Sequence, residues 1–463
     1  MSYIVVAMFI SMFAYIILFM VRDSEKTIAN PMNQRQTTYA RYVTRGRVVT
    51  ADGVTVAETV KDENGVERRV YPEGSMFAHS VGYSDYSMSG VELQQSFVLL
   101  RSHVSLLEKL KCDLKGEKYP GDHVVLTMDY DLQKAASDAL GDCRGAVVAI
   151  DPKTGKILVM VSKPDFDPND MDSVMEKIYT DEAKEDAVLL NRATQGLYAP
   201  GSTFKILTAL EFMRENPRWE DYSYDCEGSG VYGDIAIQCA GERVHGNVSL
   251  KDTITYSCNT STANMGMGLD IARFRELTEK LFFNKELPYD GSSYDSSFKL
   301  SAGSDRNEIP QTVIGQGETL ITPLHNALIM CTVANGGELM KPYMVDRVVS
   351  EDGTVVSETK IESCGSLLGK EECEKLLPML ESVCREGTAS GQLAWKDYLV
   401  GGKTGTAEYD NEGNCNSWFV GYAGKDTPEI VISVIVEDYN TWGVSGTYVA
   451  GCVFDAWYEK NGH

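Results

Sequence analysis

The stretch Tyr198-Ala199-Pro200-Gly201-Ser202-Thr203-Phe204-Lys205-Ile206-Leu207-Thr208-Ala209-Leu210 decides how this chain is read. Pro200-Gly201 interrupts the backbone just before Ser202, and the run from Thr203 to Leu210 continues as a helix. Ser202 is therefore expected at a helix start, with Lys205 one turn along the same face. At that spacing a lysine amine, desolvated and partly deprotonated, takes the serine proton. The helix N-terminus also presents backbone N–H groups to a developing oxyanion. The Ser-x-x-Lys pattern alone is weak, because Ser296–Lys299 and Ser357–Lys360 repeat it. Neither opens an apolar helix, the first lying among Ser, Tyr and Asp and the second beside an Asp-Gly turn. Context promotes Ser202.

Two polar elements follow downstream. Ser257-Cys258-Asn259 comes after a helical run, Val248 to Tyr256. Its serine can relay a proton and its asparagine can hold a substrate backbone; a helix C-terminal polar cluster is the plainer alternative. Gly401-Gly402-Lys403-Thr404-Gly405-Thr406-Ala407 reads as a strand. There Lys403 and Thr404 can aim an ammonium and a hydroxyl at a carboxylate, while Gly405 lets a ligand approach the backbone. Lys153-Thr154-Gly155 repeats the tripeptide but lies in a turn upstream of Ser202. Ser-x-x-Lys, Ser-x-Asn and Lys-Thr-Gly in that order are specific where each alone is not.

Around these elements, 463 residues allow two domains, one with a large core. A 43% hydrophobic, 24% charged composition is that of a folded protein. The net charge of −24 argues against nucleic acid and against broad binding to anionic headgroups. Met1 to Val21 carries no charged side chain and suits a membrane anchor. A cleaved signal peptide is the rival, but there is no basic n-region and no A-x-A-like site before Arg22-Asp23. No second apolar run of that length follows, so a single-pass protein is expected. Residues 22–118 read as an extended pedestal, with a strand–turn–strand signature from Arg45-Gly46-Arg47-Val48-Val49 through Asp52-Gly53. Residues 119–463 read as the catalytic domain. There Asp131–Leu140 is helical in pattern, and Gly145–Ile150 and Ile157–Val161 are strands joined by Asp151–Gly155. Further strands are expected at Trp418–Ala423 and Ile430–Val436, giving an α/β or α+β domain with an antiparallel sheet.

The chain resembles class B penicillin-binding proteins, the monofunctional peptidoglycan transpeptidases. The resemblance spans nearly the whole length: Arg45-Gly46 with Asp52-Gly53, Tyr71-Pro72 with Gly82-Tyr83, Asp151–Gly155, and Asn191-Arg192-Ala193. It continues through Ile314–Glu318, Thr322-Pro323-Leu324, Asn335-Gly336-Gly337 and Ser417–Gly421. Asn30–Arg35 is similar to the shorter division- or elongation-associated members. Cys258 departs from the Ser-Asp-Asn form of the second motif. The resemblance implies a transpeptidase fold in which Ser202 attacks the penultimate D-Ala of a stem peptide, with Lys205 as base. It implies that Ser257 and Asn259 assist proton transfer and positioning. Lys403, Thr404 and Thr406 would bind the terminal carboxylate, and the N–H groups of Ser202 and Thr406 would form the oxyanion hole. An amine on a neighbouring stem would resolve the acyl-enzyme into a cross-link. Implied partners are the lipid-linked precursor, β-lactams and a SEDS-type glycan polymerase, with an extracytoplasmic catalytic domain and no required cofactor.

Alternatives of other classes are a β-lactamase, a D,D-carboxypeptidase, a β-lactam sensor and a non-catalytic scaffold for the polymerase. No acidic motif assigns a deacylating base for the first, and the sensor needs a cytoplasmic effector. Eleven cysteines is an odd count that leaves at least one unpaired. Cys226, Cys239, His245 and Cys258 form C-x12-C-x5-H-x12-C, a donor set for structural zinc. A Cys226–Cys239 disulfide and free buried thiols stay open beside it. Cys258 is expected to point away from the cleft.

Overall fold

The computed structural model describes residues 2–22, 38–178, 186–408 and 413–462. The Asn30–Arg35 segment lies outside the described residues. Helix α1 (Ser2–Arg22) is long and apolar enough to cross a membrane, with a mean hydropathy of 2.5 over Tyr3–Met20.

The chain divides into two compact units. The first comprises Met1–Leu126 with two later segments, Asp167–Val174 and Val345–Thr359. Its six-stranded sheet runs in the order Val355–Glu358, Val345–Val349, His123–Leu126, Val48–Val49, Thr55–Lys61, Glu67–Val70. The expected hairpin is present: Val48 pairs antiparallel with Ala57 across a turn in which Gly53 takes a positive φ of 88°. Glu92, fully buried, accepts from Arg45 at 2.6 Å and Arg69 at 2.7 Å. Burial pushes its carboxyl up, but the two guanidinium groups outweigh that and hold it below the usual range. The sheet of this unit thus draws its strands from two of its three chain segments, Met1–Leu126 and Val345–Thr359.

The second unit comprises Thr127–Phe166, Met175–Met344 and Lys360–His463. Among its helices, in chain order, are α2 (Tyr130–Leu140), α3 (Lys205–Glu215), α4 (Leu250–Thr255), α5 (Asn259–Gly266), α6 (Pro323–Ala334), α7 (Lys370–Arg385) and α8 (Gly446–Lys460). The main sheet has strands β1 (Gly145–Ile150), β2 (Ile157–Lys163), β3 (Leu399–Glu408), β4 (Cys415–Gly424) and β5 (Ile430–Val436). All pairings are antiparallel, in the spatial order β3-β4-β5-β1-β2. β1 and β5 are apolar runs buried at every position, because helices cover both faces. α2 and α8 pack on each other and on the sheet, and α6 packs against β1, β4 and β5. α6 is apolar all round, yet at twelve residues it is a core helix. β3 pairs only with β4 and so forms a sheet edge among the described strands. That edge carries Lys403-Thr404-Gly405.

Candidate active site

Ser202 lies in a 3-10 turn, Gly201–Phe204, that runs directly into α3. The turn is held from three sides. Gly201 takes a positive φ of 53°, and its N–H donates to the Gly315 carbonyl at 2.8 Å. A Cβ on Gly201 would stand 2.8 Å from the Thr406 oxygen, so the turn presses against β3. Phe204 packs among Phe274, Phe283 and Phe298, with ring centroids 5.8–5.9 Å away. Tyr198, just upstream, exchanges backbone hydrogen bonds with Ile321 at 3.1 and 2.8 Å. Its ring meets Trp418 edge-on, and its hydroxyl donates to Glu437 at 2.6 Å, where Arg192 also donates at 2.7 Å. Trp418 in turn donates to the Ala199 carbonyl at 3.0 Å.

Gly315 allows a direct prediction. A Cβ there would sit 1.8 Å from the Gly201 oxygen, and its φ of 87° disfavours any side chain. Gly315→Ala should cost roughly 2–4 kcal/mol of stability and slow acylation together, since the clash lands on the nucleophile's neighbour. Thermal melts and penicillin labelling check this; a variant unchanged in both contradicts it.

Lys205 is wholly buried. Its Nζ donates to the Ser257 carbonyl at 2.7 Å, the Ser257 hydroxyl at 3.2 Å and Asn259 Oδ1 at 2.5 Å. Burial lowers its amine to about 7, although the nearby Cys258 and Cys239 thiols work in the opposite direction. The Ser257 carbonyl faces Lys205 because Ser257 itself adopts a left-handed φ of 56°, a strained state for a non-glycine residue. Asn259 opens α5, and its Nδ2 donates to the Gln238 carbonyl at 2.7 Å, which fixes the amide's orientation. Lys403 is also wholly buried and donates to the Thr404 carbonyl at 3.0 Å. Burial first and the Lys205 charge second hold its amine well below the usual range. The Thr404 hydroxyl meets that of Thr388 at 2.6 Å.

Ser202, Ser257, Asn259, Thr404, Gly405 and Thr406 line one cleft of about 1170 Å³. The decoys stand apart from this grouping. Asp151 caps the turn that holds Lys153 and Thr154, and Ser357 lies in an edge strand of the first unit. Cys258 is buried and does not line the cleft; its Sγ caps α5 by accepting from Ser261 N. The supporting contacts of Tyr198, Arg192, Trp418 and Glu437, and the Thr388 contact, escaped the sequence reading. Only the Pro-Gly break hinted that the loop needed such bracing.

Cys226, Cys239, His245 and Cys258 converge, with all donor atoms within 4.8 Å of one another. Sγ separations are 3.7 Å for Cys226–Cys239 and 3.8 Å for Cys239–Cys258, and Cys226 Sγ lies 3.4 Å from His245 Nδ1. These are the edges of a tetrahedron with metal–sulfur bonds of about 2.3 Å, whose S–S edge is about 3.75 Å. A disulfide needs about 2.05 Å, and the three thiols and the imidazole remain separate groups here. Their shared hydrogen bond pushes Cys239 down and Cys258 up, so the pair gives up a first proton readily and a second reluctantly.

A serine at a helix start, a buried amine poised near neutrality and a sheet-edge Lys-Thr-Gly define the penicillin-recognising class of serine enzymes. Residues 145–459 match the penicillin binding protein transpeptidase domain, and residues 45–124 match the penicillin binding protein A dimerisation domain. The chain belongs to the penicillin-binding protein transpeptidase family, as a class B member. Peptidoglycan D,D-transpeptidase PbpA of Mycolicibacterium smegmatis is 28% identical over 89% of this chain and 87% of that protein. The D,D-transpeptidase domain of a peptidoglycan glycosyltransferase from Eggerthella lenta superposes with a TM-score of 0.80 at 30% identity, covering 90% of this chain and 99% of that one. Penicillin-binding protein A of M. tuberculosis, as a ceftriaxone acyl-enzyme complex, gives 0.80 at 26% identity, covering 91% and 99%.

Proposed function

We propose that the chain is a peptidoglycan D,D-transpeptidase that cross-links stem peptides through an ester on Ser202. The observation that carries this reading is the Lys205 ammonium site, bonded at once to Ser257 and Asn259 and one turn from Ser202. Lys205 takes the Ser202 proton as Oγ attacks the penultimate D-Ala carbonyl. The Ser202 and Thr406 N–H groups receive the developing oxyanion. Ser257 passes the proton to the leaving D-Ala, and Asn259 holds the substrate backbone. Lys403, Thr404 and Thr406 bind the terminal carboxylate, with Gly405 leaving room for the backbone. In the free cleft burial and the Lys205 charge disfavour the Lys403 ammonium; an arriving carboxylate would favour it again. The amine of a second stem then displaces Ser202. Covalent labelling by a fluorescent penicillin, compared with Ser202→Ala, tests the reading.

Residues 1–21 serve as anchor, 22–118 as pedestal and 119–463 as transpeptidase domain, with the catalytic domain extracytoplasmic. A SEDS-type polymerase in the same membrane fits an anchored transpeptidase whose pedestal is a folded unit. Complementation separates this from a scaffold role: full rescue by Ser202→Ala makes the scaffold sufficient. Release of free D-Ala without cross-linked product would favour the D,D-carboxypeptidase.

Cys226, Cys239, His245 and Cys258 would hold a structural zinc, which supplies folding energy and no chemistry to the reaction. Bound there, it would brace Cys258 and, through it, the backbone of Ser257 and Asn259. Purified protein should contain about one zinc per chain, and stripping it should lower the melting temperature by several degrees. Metal analysis that finds no zinc in either state removes the idea.

A further inference from the structure

β3 is a sheet edge beside the nucleophile among the described strands, a place where a peptide can add as a further strand. Along β3 the side chains alternate: Lys403, Gly405 and Ala407 are buried, while Thr404, Thr406 and Glu408 face outward. Those three outward residues all line the Ser202 cleft. The donor's direction follows from the transpeptidase reading above, in which its carboxylate is bound at the level of Lys403 and Thr404. Its reacting carbonyl lies at the level of Thr406, against which Gly201 and hence Ser202 are pressed. The donor therefore runs antiparallel to β3, and its residue upstream of the D-Ala pair travels towards Glu408. Glu408 stands about 6.8 Å along β3 from Thr406, and that donor residue about 3.4 Å, so a long side chain on it spans the difference.

Glu408 is an exposed carboxylate with no ion-pair partner among the described residues. The other acid lining the cleft is Glu242, which lies on a separate element. A cross-linking enzyme draws donor and acceptor from one repeating polymer, so every donor stem also carries the amine that acceptors use. We infer that Glu408 selects the donor by pairing with a side-chain ammonium on the residue preceding its D-Ala-D-Ala pair. This rests on the transpeptidase reading above. The reaction is unchanged: an ester forms between Ser202 and the penultimate D-Ala, the bond to the last residue breaks, and the serine proton leaves with that D-Ala. Glu408 acts on which donor is acylated.

The test uses the full chain in detergent and two donor peptides, Lys-D-Ala-D-Ala and its twin acetylated on the lysine amine. Rates of D-Ala release are expressed per penicillin-titratable site, so misfolded protein drops out. The wild type should prefer the free amine by about fivefold in kcat/KM, the scale of a partly exposed ion pair. Glu408→Gln should bring that ratio near one, and Glu408→Lys should reverse it. A wild-type ratio near one, or a Glu408→Gln ratio equal to the wild type's, overturns the proposal. So does a change confined to transfer onto an added amine, which would place the contact on the acceptor. If the wild type titrates with no penicillin, the transpeptidase reading itself has failed, and that outcome is distinct from the others.

Discussion

A Ser202→Ala protein is expected to take no covalent label from a fluorescent penicillin and to release D-Ala at least about 10⁴-fold more slowly than wild type. The chemistry leaves no substitute. Ser257, the other hydroxyl beside Lys205, is held at 3.2 Å from its Nζ and follows a strained backbone turn in the second motif. It does not share the helix-start N–H groups that stabilise an oxyanion at Ser202. The fold should survive, because the turn is held by Gly201, Thr203 and Phe204 rather than by the Ser202 side chain. The melting temperature should therefore stay within a degree or two of wild type, since few stability-determining contacts are removed. Gel fluorescence and intact mass report the adduct. A labelled Ser202→Ala protein, or an unlabelled wild type, would sink the assignment of the nucleophile.

Lys205 should produce the next largest effect, and a pH signature that a structural lysine would not. Its amine is lowered to about 7 by burial, with the Cys258 and Cys239 thiols opposing. The buried Lys403 is the other cation facing it. The sign is set by the role. Only the neutral amine accepts the Ser202 proton, so acylation should rise about tenfold per pH unit below 7 and level off above it. Lys205→Arg places a group that stays protonated at the same site. It should slow acylation by about 10²–10⁴-fold and erase the inflection near 7. An acylation rate that keeps the wild-type inflection in this variant would assign the proton transfer elsewhere.

Much of this site is legible in one dimension for a physical reason. Ser202 and Lys205 are neighbours because a helical turn brings residues three apart together, and that is a local property. Thr404, Thr406 and Glu408 share a face because strands alternate, which is equally local. The apolar runs Gly145–Ile150 and Ile430–Val436 announce buried strands by composition. What is not local could not be read. Lys205 and Asn259 are 54 residues apart in the chain, and only folding brings Asn259 Oδ1 to 2.5 Å from the amine. The same holds for the pedestal sheet, which recruits Val345–Val349 from between the second and third motifs.

The sequence by itself singled out Ser202 as the candidate nucleophile, with its helical partner, the order of the three motifs, the antiparallel sheet and the apolar N-terminal helix. Each follows from periodicity, turn chemistry or composition over a few residues. The tertiary structure alone brought Ser202, Ser257 and Asn259 to one cleft and decided how deeply both lysines are buried and therefore how far their amines fall. It also brought the Cys226, Cys239, His245 and Cys258 donors to within 4.8 Å of one another, which no sequence spacing could show. Burial and long-range distance are properties of the packed chain; no window of residues contains them.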